Sequence, residues 1–424
     1  MKFIDLFAGL GGFHIALKEL GHECVFASEI NNELCELYKR NFGFEPKGDV
    51  RRIDEKDIPE HDILCAGFPC QPFSKAGYQL GFDCPTRGTL FYDIIRILEY
   101  HQPRYVILEN VANLRNHDKG NTWKVIEREL KRVGYSVADK ILSPHDYGVP
   151  QVRDRLFIVG SRTGLEHFHW PAKQPNKAFP VDEILEKNPP DAILLPERIK
   201  IYLTIWQEFL DNLGSSDLPL PIWSMEFGAN YPYETTTPYA IGLKDLRSYK
   251  GVFGTPLQNL TDEQIATALP SYSFTHPKAR VTQFPKWKIN YIRKNRTFYE
   301  LHKSWLDKWM LKVQTFGPSF QKFEWNCKGE KRDISQLVVQ LRASGIRVKR
   351  RNTISSLVGI TTQVPIITWE NRYMTPRERA RLQSMDNLTY LPDISPSKTT
   401  EALGNAVNVN LVKMIAESLI SKSQ

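Results

Sequence analysis

The sequence lacks the features that mark several common protein classes. Its six cysteines include no C-x-x-C pair, so neither a zinc site nor a redox pair is suggested, and a disulfide framework is not expected in a chain of 424 residues. No apolar run is long enough to cross a bilayer, and no basic stretch near the start leads into an apolar segment. Repeats and low-complexity tracts are also absent. These absences predict a soluble, intracellular protein without a bound metal and with enough residues for two domains.

Positive charge is concentrated in one region of the chain. The formal net charge is +8, but residues Lys286 to Arg351 contain 17 Lys or Arg against 5 Asp or Glu, which leaves the remainder at −4. Aromatic residues such as Trp305 and Trp309 interleave with these cations, and at helical spacing they belong more often to a core than to a base-stacking surface. The cations of this region are therefore the better indication of a nucleic-acid partner.

The chain opens with a predicted strand, a glycine turn and a helix. Residues 3–7, apolar apart from Asp5, are typical of a buried strand, and residues 8–12 supply the turn. Apolar residues at i, i+3, i+4 and i+7 from Phe13 then predict a helix that ends at Gly21. This arrangement opens many nucleotide-type sites, where missing side chains let a ligand approach the backbone. Close packing of the helix on the strand would explain the same glycines equally well.

Two acids follow further predicted strands. Glu29 stands about twenty residues after the glycine turn, where a doubly wound fold places an acid for a ribose hydroxyl. Asp49 follows a second probable strand end. Each acid alone could be a surface carboxylate or a helix cap. Together, at the carboxyl ends of strands, they favour a ligand-binding crevice.

A single cysteine is framed by two prolines after the apolar run of residues 63–66. Cys70 lies between Pro69 and Pro72, which predicts a rigid loop that aims one thiol. A small buried cysteine in an ordinary turn is the alternative, because reactivity also requires a neighbourhood that favours the thiolate. The next buried strand, residues 105–108, delivers Glu109 to the same sheet edge.

Two arginines precede another strand-like run. Alternation would place Arg153 and Arg155 on one side of this strand, where they could serve a thiolate or an anionic backbone. Exposed strand charges are the alternative interpretation.

Together these segments resemble the DNA cytosine-C5 methyltransferase family. Residues 5–13 resemble its S-adenosylmethionine loop, residues 67–74 its nucleophile loop and residues 109–111 its acid. Three further blocks agree in order: 151–155, 377–383 and 404–407. The resemblance extends over residues 1–160 and 344–420 and leaves the middle of the chain unassigned.

The resemblance implies a catalytic role for four residues. Cys70 would add to C6 of a cytosine, and a protonated Glu109 would hydrogen-bond to N3 of the ring. Arg155, with Arg153 supporting it, would orient the base oxygen and hold the carboxylate. The base that removes the C5 proton is not identified by the sequence, and water is one candidate.

The resemblance also implies S-adenosylmethionine as cofactor, with S-adenosylhomocysteine as product and no metal. The expected contacts are Phe7, Gly9, Leu10 and Gly11 at the methionine end, Glu29 at the ribose, Ile30 and Val50 on the adenine faces, Asp49 at the adenine amino group, Pro69 and Leu90 in the pocket wall, and Asn405 and Val407 from the far end of the chain.

The expected fold is α/β: a Rossmann-like methyltransferase fold with a mixed, mostly parallel sheet, plus a smaller target-recognition domain. Residues 1–185 and 396–424 would form the discontinuous catalytic domain, and residues 186–395 the target-recognition domain and hinge. The predicted activity is C5 methylation of a cytosine flipped out of a specific duplex DNA sequence, by the protective methylase of a restriction–modification system.

Two alternatives stay open at this point. A tRNA cytosine-C5 methyltransferase would share the Cys70 and Glu109 chemistry, although the large basic insert favours duplex DNA. A silent DNA-binding regulator would have kept the fold and lost turnover. The compact architecture further suggests a monomeric prokaryotic protein, cytoplasmic and held at the nucleoid by DNA, with a cognate restriction endonuclease acting on the same site.

Overall fold

The computed structural model describes residues 1–69, 90–174, 179–214 and 217–421. Cys70 therefore lies outside the described residues. The chain divides into two compact units, the first comprising Met1–Asp191, Asn352–Val364 and Met374–Gln424, and the second Ala192–Arg351 and Pro365–Tyr373. No helix in the described part of the chain is both long and apolar enough to span a bilayer.

The first unit alternates strands and helices. Its elements are β1 Lys2–Leu6, α1 Gly12–Glu19, β2 Glu23–Ser28, α2 Asn32–Phe42, β3 Ile63–Gly67, α3 Leu90–His101, β4 Tyr105–Val111, α4 Asn121–Arg132, β5 Ser136–Leu142, β6 Gln151–Val152, β7 Arg155–Ser161, β12 Ile354–Ser355, α10 Pro376–Arg381, α11 Pro396–Asn405 and α12 Val409–Ile420.

Six of these strands form one sheet in the order β2-β1-β3-β4-β7-β5. The pairs β1–β2, β1–β3 and β3–β4 are parallel, whereas β7 runs antiparallel to both β4 and β5. The central strands are fully buried at Ile4, Leu64 and Val106, as expected for parallel strands that are covered on both faces. The predicted α/β fold with a mixed, mostly parallel sheet is confirmed.

Two local predictions in this unit were wrong. No strand lies between α2 and Asp49, which instead caps a short 3-10 turn at Val50–Arg52 by accepting a hydrogen bond from the Arg51 amide. The sequence Thr375-Pro376-Arg377-Glu378 predicts a helix that begins with a capping box and runs through Met385, but this helix, α10, ends at Arg381. Its predicted start is confirmed, because Thr375 and Glu378 form a capping box around a proline at the first helical position.

The second unit combines helices with its own sheet. Its elements are α5 Glu197–Leu213, β8 Ile222–Trp223, α6 Pro238–Ile241, α7 Leu243–Leu246, α8 Asp262–Thr267, α9 Lys286–Val313, β9 Lys322–Asn326, β10 Val338–Arg342, β11 Gly345–Lys349, β13 Ile366–Ile367 and β14 Arg372–Tyr373. The sheet order is β14-β13-β10-β11-β9-β8, and only the β9–β11 pair is parallel.

Aromatic side chains build the core of this unit. Trp206 of α5 stacks on Phe323 of β9 with ring centroids 4.7 Å apart and meets Trp309 of α9 edge-on at 5.0 Å. Tyr299 and Trp309 are both buried, which confirms that the aromatics of the basic stretch belong mainly to a core. Trp287 is the exception, at 54% exposed.

The compact units differ from the predicted domains at residues 186–191, 352–364 and 374–395, which fold with the first unit. Two features explain the difference. β12 pairs in parallel with β6 of the first unit. The Glu378 carboxylate accepts a hydrogen bond from the Glu186 amide at 2.9 Å.

Candidate active site

A cavity of about 670 Å³ lies in the first unit, beside the carboxyl ends of β1 to β4. The predicted site residues in its lining are Phe7, Gly9, Leu10, Glu29, Ile30, Asp49, Val50, Pro69, Leu90, Glu109, Arg155, Asn405 and Val407. The structure thus brings together all the predicted cofactor residues except Gly11, and two of the four predicted catalytic residues. Their individual roles stay predictions.

The turn after β1 exposes backbone to the cavity. Phe7 and Gly9 have φ angles of 58° and 53°, so the chain reverses sharply and directs the Gly9 amide at Glu29 Oε2, 2.9 Å away. A β-carbon added at Gly9 would meet nothing closer than the Phe7 carbonyl at 3.9 Å. The space above Gly9 is therefore open, and a ligand can touch the backbone there.

Glu29 is held by backbone donors at the end of β2. Besides the Gly9 amide, the Asn31 amide donates to Oε1 at 2.8 Å. The Glu29 amide itself donates to the Lys47 carbonyl at 2.8 Å. Each carboxylate oxygen keeps a further lone pair, so the fixed group can accept two more hydrogen bonds, as a pair of neighbouring hydroxyls would require.

An apolar surface and a second carboxylate stand near Glu29. Ile30 lines the cavity with 66% of its surface exposed, and Val50 lines it as a buried residue. Arg51 donates to both oxygens of Asp49, and these hydrogen bonds hold the pKa of Asp49 below its ordinary value. The result is a charged acceptor beside apolar surface that an aromatic ring system could cover.

Gly11 does not line the cavity, in contrast to its predicted cofactor contact. It precedes α1 with a φ of 76°, and a β-carbon there would lie 2.4 Å from the Phe42 ring of α2. Its amide donates to the Ala8 carbonyl at 2.7 Å. Close packing, the alternative interpretation of the glycine turn, therefore applies to this residue.

The C-terminal part of the chain completes the wall. A β-carbon at Gly12 would lie 2.5 Å from Cγ1 of Val407, so the missing side chain lets this segment pack directly against the start of α1. Asn405 is the last residue of α11 and also lines the cavity.

Glu109 occupies the position in β4 that pairs with Gly67 at the end of β3. Its side chain is buried, and burial raises its pKa above the ordinary value although the neighbouring Arg155 and Arg153 charges act in the opposite direction. Arg155 Nε lies 3.0 Å from Oε1 of Glu109, but the two groups are not aligned as a hydrogen bond. Glu109 is therefore a carboxyl group that holds its proton more strongly than usual, with a cation in contact.

Arg153 does not accompany Arg155 into the cavity, which corrects its predicted position. β6 ends at Val152 and β7 begins at Arg155, so the two arginines are not alternate residues of one strand. Arg153 is buried, and its guanidinium donates to backbone carbonyls of Leu357, Gly404 and Ala406 at 2.8–3.2 Å. The side chain thus ties β6 and β7 to the segments around residues 357 and 404–406.

Arg153→Met is expected to destabilise the first unit by about 3–5 kcal/mol, because several buried carbonyls lose their donor at once and each costs about 1–3 kcal/mol. Urea denaturation followed by fluorescence measures the change. Arg128→Met is the matched control: Arg128 is 68% exposed on α4, so its loss should cost less than about 0.5 kcal/mol. Equal midpoints for the two variants would contradict this role for Arg153.

The exit of β3 is fixed by a residue that the sequence patterns did not single out. Asn110 is buried, and its Nδ2 donates to the Phe68 carbonyl at 2.8 Å. Pro69 follows directly and lines the cavity. This hydrogen bond holds the backbone at Phe68 in place, two residues before Cys70 in the sequence. Cys70 itself lies outside the described residues.

Two further polar residues in the lining were also missed. Lys398 and Glu401 of α11 form an ion pair with a separation of 2.8 Å. Together with Asn405 they repeat at i, i+3 and i+7, a spacing that any amphipathic helix has. Only the packing of α11 reveals that this face meets the cavity.

Comparison with known proteins gives concordant matches. The sequence matches the family described as C-5 cytosine-specific DNA methylase over residues 1–209 and 240–421. The Type II methyltransferase M.AluI of Cellulosimicrobium cellulans is 30% identical over 494 aligned positions, which cover 100% of this chain and 92% of that protein.

Two other relatives match over shorter segments. M.HhaI of Haemophilus parahaemolyticus is 46% identical over 187 residues, which span 44% of this chain and 57% of that protein. M.HaeII of Haemophilus aegyptius is 40% identical over 267 residues, covering 62% and 80% of the two chains. Both are Type II methyltransferases.

Solved structures share the fold at low identity. The methyltransferase EhMeth of Entamoeba histolytica superposes with a TM-score of 0.52 at 16% identity, covering 99% of this chain and 98% of that one. A prophage-encoded protein of E. coli gives a TM-score of 0.52 at 17% identity with the same coverage.

Proposed function

Because the chain belongs to the C-5 cytosine-specific DNA methylase family, we propose that it transfers a methyl group from S-adenosylmethionine to C5 of a cytosine in duplex DNA. The family inferred from the sequence blocks is thereby confirmed. The observation that carries the proposed chemistry is the position of Glu109, a buried carboxyl group in the cavity wall at the sheet edge where β3 leads towards Cys70.

The cavity suits S-adenosylmethionine. Open backbone at Gly9, the fixed Glu29 carboxylate and the exposed Ile30 correspond to a methionine chain, a ribose and an adenine ring. Glu29 and Asp49 supply carboxylate acceptors for the hydroxyl and amino donors of this cofactor, which carries no phosphate. When bound, this cofactor supplies the methyl group as an electrophile.

Cys70 starts the reaction in this proposal. Its thiolate adds to C6 of the cytosine, forming an S–C6 bond and moving electron density towards C5 and N3. C5 thereby becomes nucleophilic enough to accept a methyl group. A base then removes the C5 proton, the S–C6 bond breaks, and the ring and the thiolate are restored.

The other described cysteines are poor candidates for this step. Burial raises the pKa of Cys24 and Cys327 to about 12 in each case and raises that of Cys65 well above its ordinary value. Burial also raises the pKa of Cys35. All four are therefore thiols rather than thiolates near neutral pH.

Glu109 stabilises the negative charge that develops at N3 of the ring. Its raised pKa keeps a proton available, so it can donate to N3 while Cys70 attacks and recover the proton when the ring is restored. Arg155, in contact with this carboxyl group, orients it and presents its remaining donors to the base oxygen. Arg153 acts through its backbone contacts rather than on the base.

Target recognition is assigned to the second unit, which holds the concentrated positive charge. Extrusion of the cytosine from the duplex gives the thiolate access to C6. The Type II designation of the relatives supports a protective role beside an endonuclease of the same specificity. The protein is proposed to act as a monomer, which mass photometry of the enzyme with and without DNA would test.

Labelled S-adenosylmethionine with duplex DNA or tRNA as acceptor tests the proposal. Transfer to DNA, with bisulfite sequencing placing the product at a cytosine in one short sequence, is the expected result. Transfer to tRNA alone would establish the tRNA enzyme instead. Binding of DNA without transfer to either acceptor would establish the silent regulator.

A further inference from the structure

The turn that brings Asp49 and Val50 into the cavity wall is short and has little internal support. It is a single 3-10 turn, Val50–Arg52, after which the Ile53 amide donates to the Val50 carbonyl at 3.2 Å, the long end of ordinary hydrogen bonds. Such short runs have poor hydrogen-bond geometry, and one helical turn is costly to form alone. The position of this turn therefore depends on contacts with other parts of the first unit.

Arg96 of α3 supplies several of these contacts. Its Nη2 donates to the Val50 carbonyl at 2.5 Å, and its Nη1 lies 2.9 Å from Oε1 of Glu55, the first residue of a second 3-10 turn, Glu55–Asp57. Its Nε donates to Oδ1 of Asp93, one turn earlier on the same helix, at 3.0 Å. All three nitrogens of the guanidinium are thus engaged, and two of them bind residues outside α3.

These contacts form a partly buried cluster of charges. The side chain of Arg96 is 26% exposed and that of Asp93 only 10%. The hydrogen bond from Arg96 holds the pKa of Glu55 below its ordinary value, so this acid stays ionised. Burial raises the pKa of Asp93, while the charges of Arg96 and Arg51 oppose that change and the charge of Asp49 adds to it. The Asp49–Arg51 pair therefore lies close to the Asp93–Arg96 pair.

The apolar side of α3 packs in the same region. Val50 belongs to one buried apolar cluster with Ile94 and Leu98 of α3. Apolar packing is not directional, whereas a guanidinium donates its hydrogen bonds in fixed directions. Packing can therefore keep the turn near the helix, and Arg96 can fix its orientation.

α3 also contributes to the cavity directly. Its first residue, Leu90, lines the cavity, and Arg96 lies six residues, or about 9 Å, further along the helix. Asp49, Val50 and Arg51 line the same cavity, but Arg96 does not. Arg96 thus connects two parts of the cavity wall from behind.

We propose that Arg96 is a positioning residue for the adenine ring of the cofactor, because it fixes Asp49 and Val50 relative to Leu90. This proposal rests on the proposed function, in which adenine lies against Asp49 and Val50. Arg96 acts through these residues and does not touch the ring. Its loss should therefore weaken cofactor binding and leave the methyl-transfer step and the affinity for DNA unchanged.

The test measures the Kd of S-adenosylhomocysteine by calorimetry, together with KM and kcat for methyl transfer. Arg96→Met should raise this Kd and the KM for S-adenosylmethionine about 10–100-fold, because the turn loses its charged donor. At saturating cofactor, kcat should change by less than about threefold, since only uniform binding is lost. Arg96→Lys keeps the charge but not the fork of donors, and it should recover part of the loss.

Arg132→Met is the matched control. Arg132 of α4 also pairs with two carboxylates, Glu129 of its own helix at 2.7 Å and Glu99 of α3 at 2.5 Å. It therefore connects α3 to a neighbouring element without contacting the turn at Val50–Arg52. Its side chain is 50% exposed, so its loss should change the Kd of S-adenosylhomocysteine by less than about twofold.

A ligand analogue distinguishes positioning of the ring from a general loosening of the fold. S-inosylhomocysteine carries an oxygen in place of the amino group of adenine, so it has no amino donor for Asp49. The unmodified protein should bind S-adenosylhomocysteine more tightly than this analogue, and Arg96→Met should reduce that preference. A general loss of structure would weaken the binding of both ligands equally. The same comparison on Arg96→Lys keeps the role testable where the methionine variant does not fold.

Three results would overturn this role of Arg96. They are an unchanged Kd of S-adenosylhomocysteine in Arg96→Met, an equal loss in Arg132→Met, and an unchanged preference between the two ligands. Each of them leaves the proposed function intact, provided that the unmodified protein binds S-adenosylhomocysteine and methylates DNA. Unmodified protein that neither binds this ligand nor transfers a methyl group would instead refute the proposed function.

Discussion

Glu109→Gln is expected to lower kcat for methyl transfer by about 10²–10⁴-fold while leaving the Kd for DNA nearly unchanged. Glutamine keeps the size of the side chain and an N–H donor, but it cannot pass a proton to N3 and recover it. The loss should therefore appear in the chemical step, measured by single-turnover transfer at saturating cofactor and DNA.

The pH profile gives the same prediction a second readout. Burial raises the pKa of Glu109, so the protonated form persists to higher pH than in an exposed glutamate. The rate carried by the protonated form should fall as pH rises through that pKa, and the glutamine variant should lack this limb. Glu129→Gln, on α4 away from the cavity, is the matched control and should keep the normal rate and profile. A glutamine variant at position 109 with full kcat would refute the proton-donor role.

Cys70→Ser is expected to abolish detectable transfer, a loss of roughly 10⁶-fold if it compares with the removal of other enzymatic nucleophiles. A serine hydroxyl is far less ionised near neutral pH than a cysteine thiol, so the attack on C6 would not start. DNA binding should survive, because the substitution replaces one sulfur atom by oxygen and removes no charge that a phosphate could contact. Transfer of labelled methyl and anisotropy binding on one preparation measure the two properties.

Cys327→Ala provides the control for that substitution. Cys327 is buried in the second unit, and its pKa of about 12 makes it an unreactive thiol. The variant should transfer methyl groups at the normal rate once its stability is matched. Residual turnover by the serine variant at position 70 would point to a mechanism without covalent addition.

The pattern of apolar residues was sufficient to predict the α/β framework of the first unit. Buried strands read as continuous apolar runs, and the residue after each run is delivered to the carboxyl edge of a parallel sheet, so Glu29 and Glu109 could be placed on one edge in advance. The assignment of Asn405 and Val407 to the same cavity came from family resemblance alone, because no local pattern connects residues so distant in the chain.

The remaining errors have local physical causes. Arg153 and Arg155 do not alternate along one strand as predicted, because β6 ends at Val152 and β7 begins only at Arg155. Gly11 was assigned to the ligand by the family resemblance, and a glycine turn does not itself reveal that this residue faces the packed Phe42 ring and not the cavity. Lys398 was missed because its spacing on α11 is that of any amphipathic helix.

The cavity draws its lining from the two distant parts of the chain that meet where Val407 packs on Gly12. On a ribosome that adds about 5–20 residues per second, Glu29 emerges roughly 20–75 s before Asn405. The early sheet can fold in that interval, but the cavity wall is still incomplete. A growing chain therefore cannot hold the cofactor in a finished site, and each molecule gains its methylating ability only after the segment that carries Asn405 and Val407 has been made.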